Sequence, residues 1–202
     1  MDPRSLRRAL VAPIAFLALV PGHALASNPA DRLAGQPIDS YSYDWSKSCN
    51  RHRRPQRGTL ALQHWLERHA RGASWGIMRC ERMGGGNYSL HSEGRALDWH
   101  LDVANPRDRA AAGRLVRLLL ARDRAGNNHA LARRMGIQEI IWDCHGWFSG
   151  DGGMLPYSVC YDANGHRKRH VDPTLGHRNH IHFGLNWAGA RMRTSFWRFG
   201  LR

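Results

Sequence analysis

Apolar residues recur along this chain with two periods, and the two together predict its elements. Between Gly58 and Arg71, Leu60, Leu62, Trp65, Leu66 and His69 fall at near-helical spacing. A second helix is predicted from Pro106 to about Arg122 on Leu115, Val116 and Leu119. Asn105 is its N-cap and Pro106 occupies its first turn. A third runs from about Asn128 to Met135 and stops at Gly136. Period two appears at Ala96–Val103, where Leu97, Trp99, Leu101 and Val103 share one face and Asp98, His100 and Asp102 the other. That is a half-buried strand with a polar working face. Trp75–Cys80, Ile137–Trp142 and His180–Trp187 read as further strands, the last followed by a short helical tail. Gly84–Asn87 and Ser149–Gly153 read as turns. Helices and strands mix without a regular βαβ beat, so the predicted class is α+β.

The N-terminus departs from this pattern. Arg4, Arg7 and Arg8 precede the short apolar run Ala9–Val20, and Ala24-Leu25-Ala26 has the small-x-small form of a cleavage site. Residues 1–26 are therefore expected to be a secretory signal, too short for a comfortable membrane span. Residues 27–48 are expected to be a polar leader whose aromatic end docks on a single domain over 49–202. Export gives the four cysteines a meaning. Cys49, Cys80, Cys144 and Cys160 all follow the signal, no Cys-x-x-Cys pair occurs, and an oxidising compartment favours two disulfides. Of the three connectivities, Cys49–Cys80 with Cys144–Cys160 is preferred, because each pair brackets one local segment.

With 202 residues, 42% of them hydrophobic, the chain can bury a core, which excludes a collagen-like, coiled-coil or mostly disordered polymer. The formal charge is +14, almost all from arginine, since Lys47 and Lys168 are the only lysines. Signal cleavage removes three arginines and one aspartate and leaves the chain strongly basic. The sign suits an anionic polymer such as a cell-wall polymer, an acidic glycan or nucleic acid. The arginines are spread along the chain and no nucleic-acid motif occurs, so nucleic acid is not the expected partner. A monomer is expected.

Three histidine groupings carry the chemistry. His91 and Asp98 stand seven apart around Gly94; His180 and His182 stand two apart in a β-like stretch; His177 precedes them by three. Zinc takes neutral imidazole and carboxylate, and a catalytic site keeps three protein ligands and one open position. His91 can fold back over Gly94 while Asp98 points from the polar face of its strand. His180 and His182 share a face, so one can bind metal while the other reaches water or substrate.

The run Ser89-Leu90-His91-Ser92-Glu93-Gly94-Arg95-Ala96-Leu97-Asp98 fits S-x-H-x-x-G-x-A-x-D without a gap, and His177-Arg178-Asn179-His180-Ile181-His182 has H-x-x-H-x-H spacing. Together these motifs resemble the zinc D-alanyl-D-alanine peptidases of the Hedgehog/DD-peptidase superfamily. The resemblance spans about Cys49 to Trp187. It implies a small antiparallel sheet flanked by helices and a Zn2+ cofactor held by His91, Asp98 and His182. It also implies a second histidine, His180, beside the metal, and Ser89 as a substrate contact. Peptidoglycan stem peptides would be the substrate. One position departs: many members carry Glu or Asp three residues before the last zinc histidine, and here it is Asn179, which cannot accept a proton. His177 is then the first choice for general base and Asp172 the second. Arg95 is expected to pair with a substrate carboxylate through its planar fork. The expected function is a secreted, periplasmic or wall-associated zinc peptidase of carboxypeptidase or endopeptidase type. The alternative, suggested by Asn179, is a zinc-bearing wall-binding module with little or no catalysis.

Overall fold

The alternating stretch that begins at Ala96 forms strand β2 (Ala96–His100) of a six-stranded, wholly antiparallel sheet. The structure is a computed structural model that describes residues 28–49 and 54–200. The expected signal, residues 1–26, lies outside the described residues. The strands are β1 (Ala73–Gly76), β2, β3 (Ile137–Trp142), β4 (His145–Phe148), β5 (Leu155–Pro156) and β6 (His180–Leu185), in the order β1-β2-β6-β3-β4-β5. Helices α1 (Arg57–His69), α2 (Pro106–Leu120) and α3 (Ala130–Met135) separate them, and two short helices, α4 (Trp187–Ala190) and α5 (Ser195–Arg198), form the tail. The class is α+β.

Register sorts the two sheet faces. Leu97 pairs with Phe183, Trp99 with Ile181, and Ile140 with Phe183, so these side chains share one face. They join Leu62, Trp65 and Leu66 of α1, Leu115 and Leu119 of α2, and Leu131 and Met135 of α3 in a single apolar core. The opposite face carries Asp98 opposite His182, His100 opposite His180, and Glu139 opposite Gly184. The period-two pattern thus places the polar set on one surface because the other surface is filled by helices.

Some predicted elements shift. The strand expected at Trp75–Cys80 ends at Gly76, after an irregularity between Ser74 and Gly76. Beyond it the Ile77 carbonyl accepts from His91 and the Arg79 carbonyl from Ser92 Oγ, so that backbone serves side chains and not a ladder. Strands β4 and β5, which flank the Ser149–Gly153 turn, were not predicted: β5 is only two residues long and β4 has no alternation. Asn105 caps α2 by accepting from the Arg107 and Asp108 amides, as expected, and α3 stops at Gly136.

The leader is part of the domain. Ala30 and Leu33 are buried, Asp39 accepts from the Ser195 amide, and the Gln36 and Pro37 carbonyls accept from the buried Arg134. The cysteines pair as Cys49–Cys80 and Cys144–Cys160. These bonds fit an extracellular or secreted protein. Among the described residues no helix is long and apolar enough to cross a membrane.

Candidate metal centre

His91 rides on a 3-10 turn, Leu90–Glu93, which packs on the polar face of β2 and β6. Ser89 caps the turn, its Oγ accepting from the His91 amide at 3.4 Å. Gly94 closes it with φ +68°, a left-handed conformation that suits glycine. A Cβ there would also meet the Arg54 carbonyl at 2.6 Å. The turn is what folds His91 back over β2 toward Asp98.

Three buried atoms then converge. His91 Nε2 lies 3.1 Å from Asp98 Oδ1 and 3.2 Å from His182 Nδ1, and His182 Nδ1 lies 3.1 Å from Asp98 Oδ1. A tetrahedral zinc site with bonds of about 2.0–2.1 Å has ligand–ligand edges of about 3.3 Å, so this near-equilateral triangle is the right size for one. The remaining atoms of each group have other partners that aim it. His91 Nδ1 faces the Ile77 carbonyl at 2.8 Å and must carry the hydrogen, which leaves the Nε2 lone pair for a metal. His182 Nε2 contacts Glu139 Oε1 at 2.8 Å, and Tyr43 donates to Glu139 Oε2 at 2.6 Å. Asp98 Oδ2 accepts from Arg79, which leaves Oδ1 as the single coordinating oxygen. Carboxylate and carbonyl partners of this kind fix tautomer and ring orientation at metal sites. The residues present fit a divalent metal with mixed nitrogen and oxygen ligands.

Electrostatics reinforce the arrangement. Burial works against the Asp98 charge, but its close contacts with His182 and His91 hold its carboxyl far below the usual range. Burial likewise opposes a charged His182, yet its bonds to Asp98 and Glu139 raise it to about 9. Burial pushes His91 down. One proton, on His182, therefore competes with a metal. The sign follows: below about pH 9 the proton is bound and must leave, so metal affinity is expected to fall about tenfold per pH unit as pH decreases, and to level off above that value. Chelator competition between pH 6 and 10 reads this directly, and a pH-independent affinity would contradict it.

His180 is 1% exposed and lies beside the triangle, with Nε2 3.4 Å from Asp98 Oδ1. Its Nδ1 faces Asn179 Oδ1 at 2.8 Å, and Asn179 in turn donates from Nδ2 to Thr174 Oγ1. Nε2 has no hydrogen-bond partner. Burial lowers His180 to about 4, against the pull of Asp98, so its imidazole is neutral at pH 7. The His177 ring stands 4.8 Å from that of His180 and 5.6 Å from that of His182. Burial and the neighbouring His182 and His180 push it down to about 2. Its Nδ1 is also without a partner.

His182, one vertex of the triangle, lines a groove of about 500 Å3 together with Tyr43, Trp45, Ser89, Phe148, Tyr157 and His177. Ser89 thus both caps the turn and faces the groove.

Two expectations are corrected. Asp172 is exposed and gives Oδ1 to the Thr174 and Leu175 amides, closing the turn before His177, so it is a loop residue and not a base. Arg95 is fully buried. Its guanidinium donates to Glu93 Oε2 at 2.6 and 2.8 Å, to the Leu185 carbonyl at 2.7 Å and to the Asp44 carbonyl at 2.9 Å. Four of its five N–H donors are taken and the group is fully buried, so the fork ties the leader to β6 and does not reach a substrate carboxylate. Arg95→Ala is accordingly expected to leave KM unchanged and to cost about 3–5 kcal/mol of stability, since Glu93 is left as an unpaired buried charge. Thermal unfolding beside substrate titration checks this.

The sequence reading missed Glu139, Tyr43 and Arg79. Glu139 did leave a signal, a single acid inside the otherwise uncharged run Ile137–Trp142. Gly184, directly opposite, makes room for it: a Cβ there would meet Glu139 Cγ at 2.5 Å. Tyr43 belongs to the aromatic leader end expected to dock and Arg79 to the stretch read as a strand, but neither carried a signal for its partner in the site.

No curated protein and no solved structure matches the chain. The sequence profile of the family described as VldE, C-terminal domain, matches residues 52–171, more than half of the chain. That span contains His91, Asp98, Arg79 and Glu139 and ends before β6. By this match the chain belongs to the family described as VldE, C-terminal domain.

Proposed function

We propose that this protein is a secreted zinc peptidase that hydrolyses peptide bonds of peptidoglycan stem peptides on a Hedgehog/DD-peptidase-like fold. The observation that carries the proposal is the triangle of His91 Nε2, Asp98 Oδ1 and His182 Nδ1, with His182 in the wall of an open groove. It supplies three ligands where a catalytic zinc takes three and keeps one position for water. The motifs S-x-H-x-x-G-x-A-x-D and H-x-x-H-x-H and the basic charge support the same reading.

When bound, zinc would lower the pKa of water from 15.7 to about 7 and polarise a carbonyl. The chain's own residues do the rest. Glu139, Ile77 and Arg79 hold the three ligand groups in orientation. His180, with Nδ1–H held by Asn179, offers a neutral Nε2 lone pair toward the site and can take a proton there. Asn179 thus supports an imidazole base where related enzymes carry an acid. His180 can then return that proton to the leaving amine, and His177, which lines the groove, stands against its ring at 4.8 Å. Tyr43, Trp45, Phe148 and Tyr157 give the groove an aromatic wall.

Among the described residues lining the groove, Arg79 is the one arginine, and its guanidinium is engaged by Asp98 and Glu81. A terminal carboxylate would have to share a guanidinium already paired with two carboxylates, which favours cleavage of an internal bond over removal of a C-terminal residue. The experiment is to incubate zinc-loaded protein with a stem pentapeptide and with a cross-linked stem dimer, and to read products by mass. Cleavage of the dimer is expected. Release of the terminal residue alone would place the activity with carboxypeptidases. Cleavage of neither, with wall binding retained, would replace the proposal by the binding-module reading that Asn179 suggested.

A further inference from the structure

Apart from the metal groove, and sharing no lining residue with it, lies a second pocket of about 360 Å3 formed by Arg167, Lys168, Arg169, Val171 and Arg178. Four basic residues line one space. The acid that answers them is Asp143, whose Oδ1 is shared between Arg167 Nη2 at 3.4 Å and Arg178 Nε at 3.3 Å. Arg169 has no carboxylate within 4 Å among the described residues. Three positive charges are left uncompensated around a concave surface, where field lines concentrate.

The walls are held in place. The Cys144–Cys160 disulfide ties the base of the 160–168 loop to the turn after β3. The Lys168 amide donates to the Cys160 carbonyl, Tyr161 bridges to Arg167, and Lys168 Nζ donates to the Val159 carbonyl. On the other wall the Asp143 and Cys144 amides donate to the His177 and Gly176 carbonyls, which fixes the loop carrying Arg178. A flexible surface charge run would show none of these ties.

We infer that this pocket binds a phosphate group. A carboxylate is planar and is satisfied by one guanidinium fork. A phosphate presents oxygens in several directions and up to two negative charges, and suits several cationic donors converging from different walls. The group can arrive as free phosphate or as one unit of a phosphodiester polymer. The inference is independent of the peptidase reading.

The test is calorimetric titration at fixed ionic strength with three probes: inorganic phosphate, a short poly(glycerol phosphate), and poly-glutamate of equal charge. Wild type is compared with R167A/R169A and with the control R114A/R117A, which removes the same charge from the exposed face of α2. The pocket variant is expected to weaken phosphate-containing probes by at least about tenfold, the control by less than about twofold. Saturable binding of inorganic phosphate assigns the site to a single phosphate group, and binding of the polymer alone assigns it to a chain. Equal losses in both variants, no loss in the pocket variant, or equally tight poly-glutamate would overturn the inference. Should R167A/R169A fold poorly, R169Q, which breaks no ion pair, must still weaken binding.

Discussion

On the proposed zinc peptidase reading, replacing His182 with alanine should strip the protein of its metal and, with it, of hydrolysis. The side chain supplies one vertex of the ligand triangle and also separates two buried carboxylates, Asp98 on one ring nitrogen and Glu139 on the other. Without it, two ligand atoms remain, and a pair of carboxylates is left with less compensation at low exposure. Zinc content should fall from about one per chain to near zero. His91→Ala should do the same with less loss of stability, because Asp98 keeps His182 and Arg79. Glu139→Gln makes the graded comparison. The ligands stay, but His182 loses its charged partner, and a loss of 10–100-fold in zinc affinity is expected. Elemental analysis after dialysis reads all three. Full zinc occupancy in both alanine variants would remove the metal assignment.

The second large effect is at His180. Its Nε2 has no partner and lies 3.4 Å from the coordinating oxygen of Asp98, while Asn179 occupies Nδ1. His180→Ala should keep zinc and lose about 10²–10⁴-fold in kcat. His177→Ala should lose less, since His177 stands farther from the ligand atoms and its ring is seated against Tyr157. The resemblance made His177 the first choice for the base, and the contacts around His180 favour His180 instead. The pH profile follows from the same burial. Burial holds both imidazoles well below 6.5, to about 4 and about 2, so neither should give an inflection near pH 6.5. If His180→Ala retains wild-type rates and His177→Ala does not, the base is His177.

Period and spacing carried most of the fold. Core-facing residues of β2 and β6 were legible because one face had to meet the helices, and that same alternation put Asp98, His180 and His182 on the other. The His91 turn was legible because Gly94 stands where the chain must reverse. What stayed hidden was set by contacts remote in sequence. Tyr43 reaches Glu139 across the leader, and Asp172 is drawn off by amides two and three residues ahead. Arg95 reads as a free arginine beside a motif, and only the packing of Asp44, Glu93 and Leu185 around it shows that its fork is filled.

Zinc-edge X-ray absorption on the wild-type protein tests the central claim most directly, because it reports the number and kind of ligands without reference to activity. One zinc per chain is expected, with two imidazole nitrogens, one carboxylate oxygen and a fourth light-atom position that exchanges with added ligand. A shell closed by four protein ligands, or a preparation that takes up no zinc, would contradict an open catalytic centre at His91, Asp98 and His182.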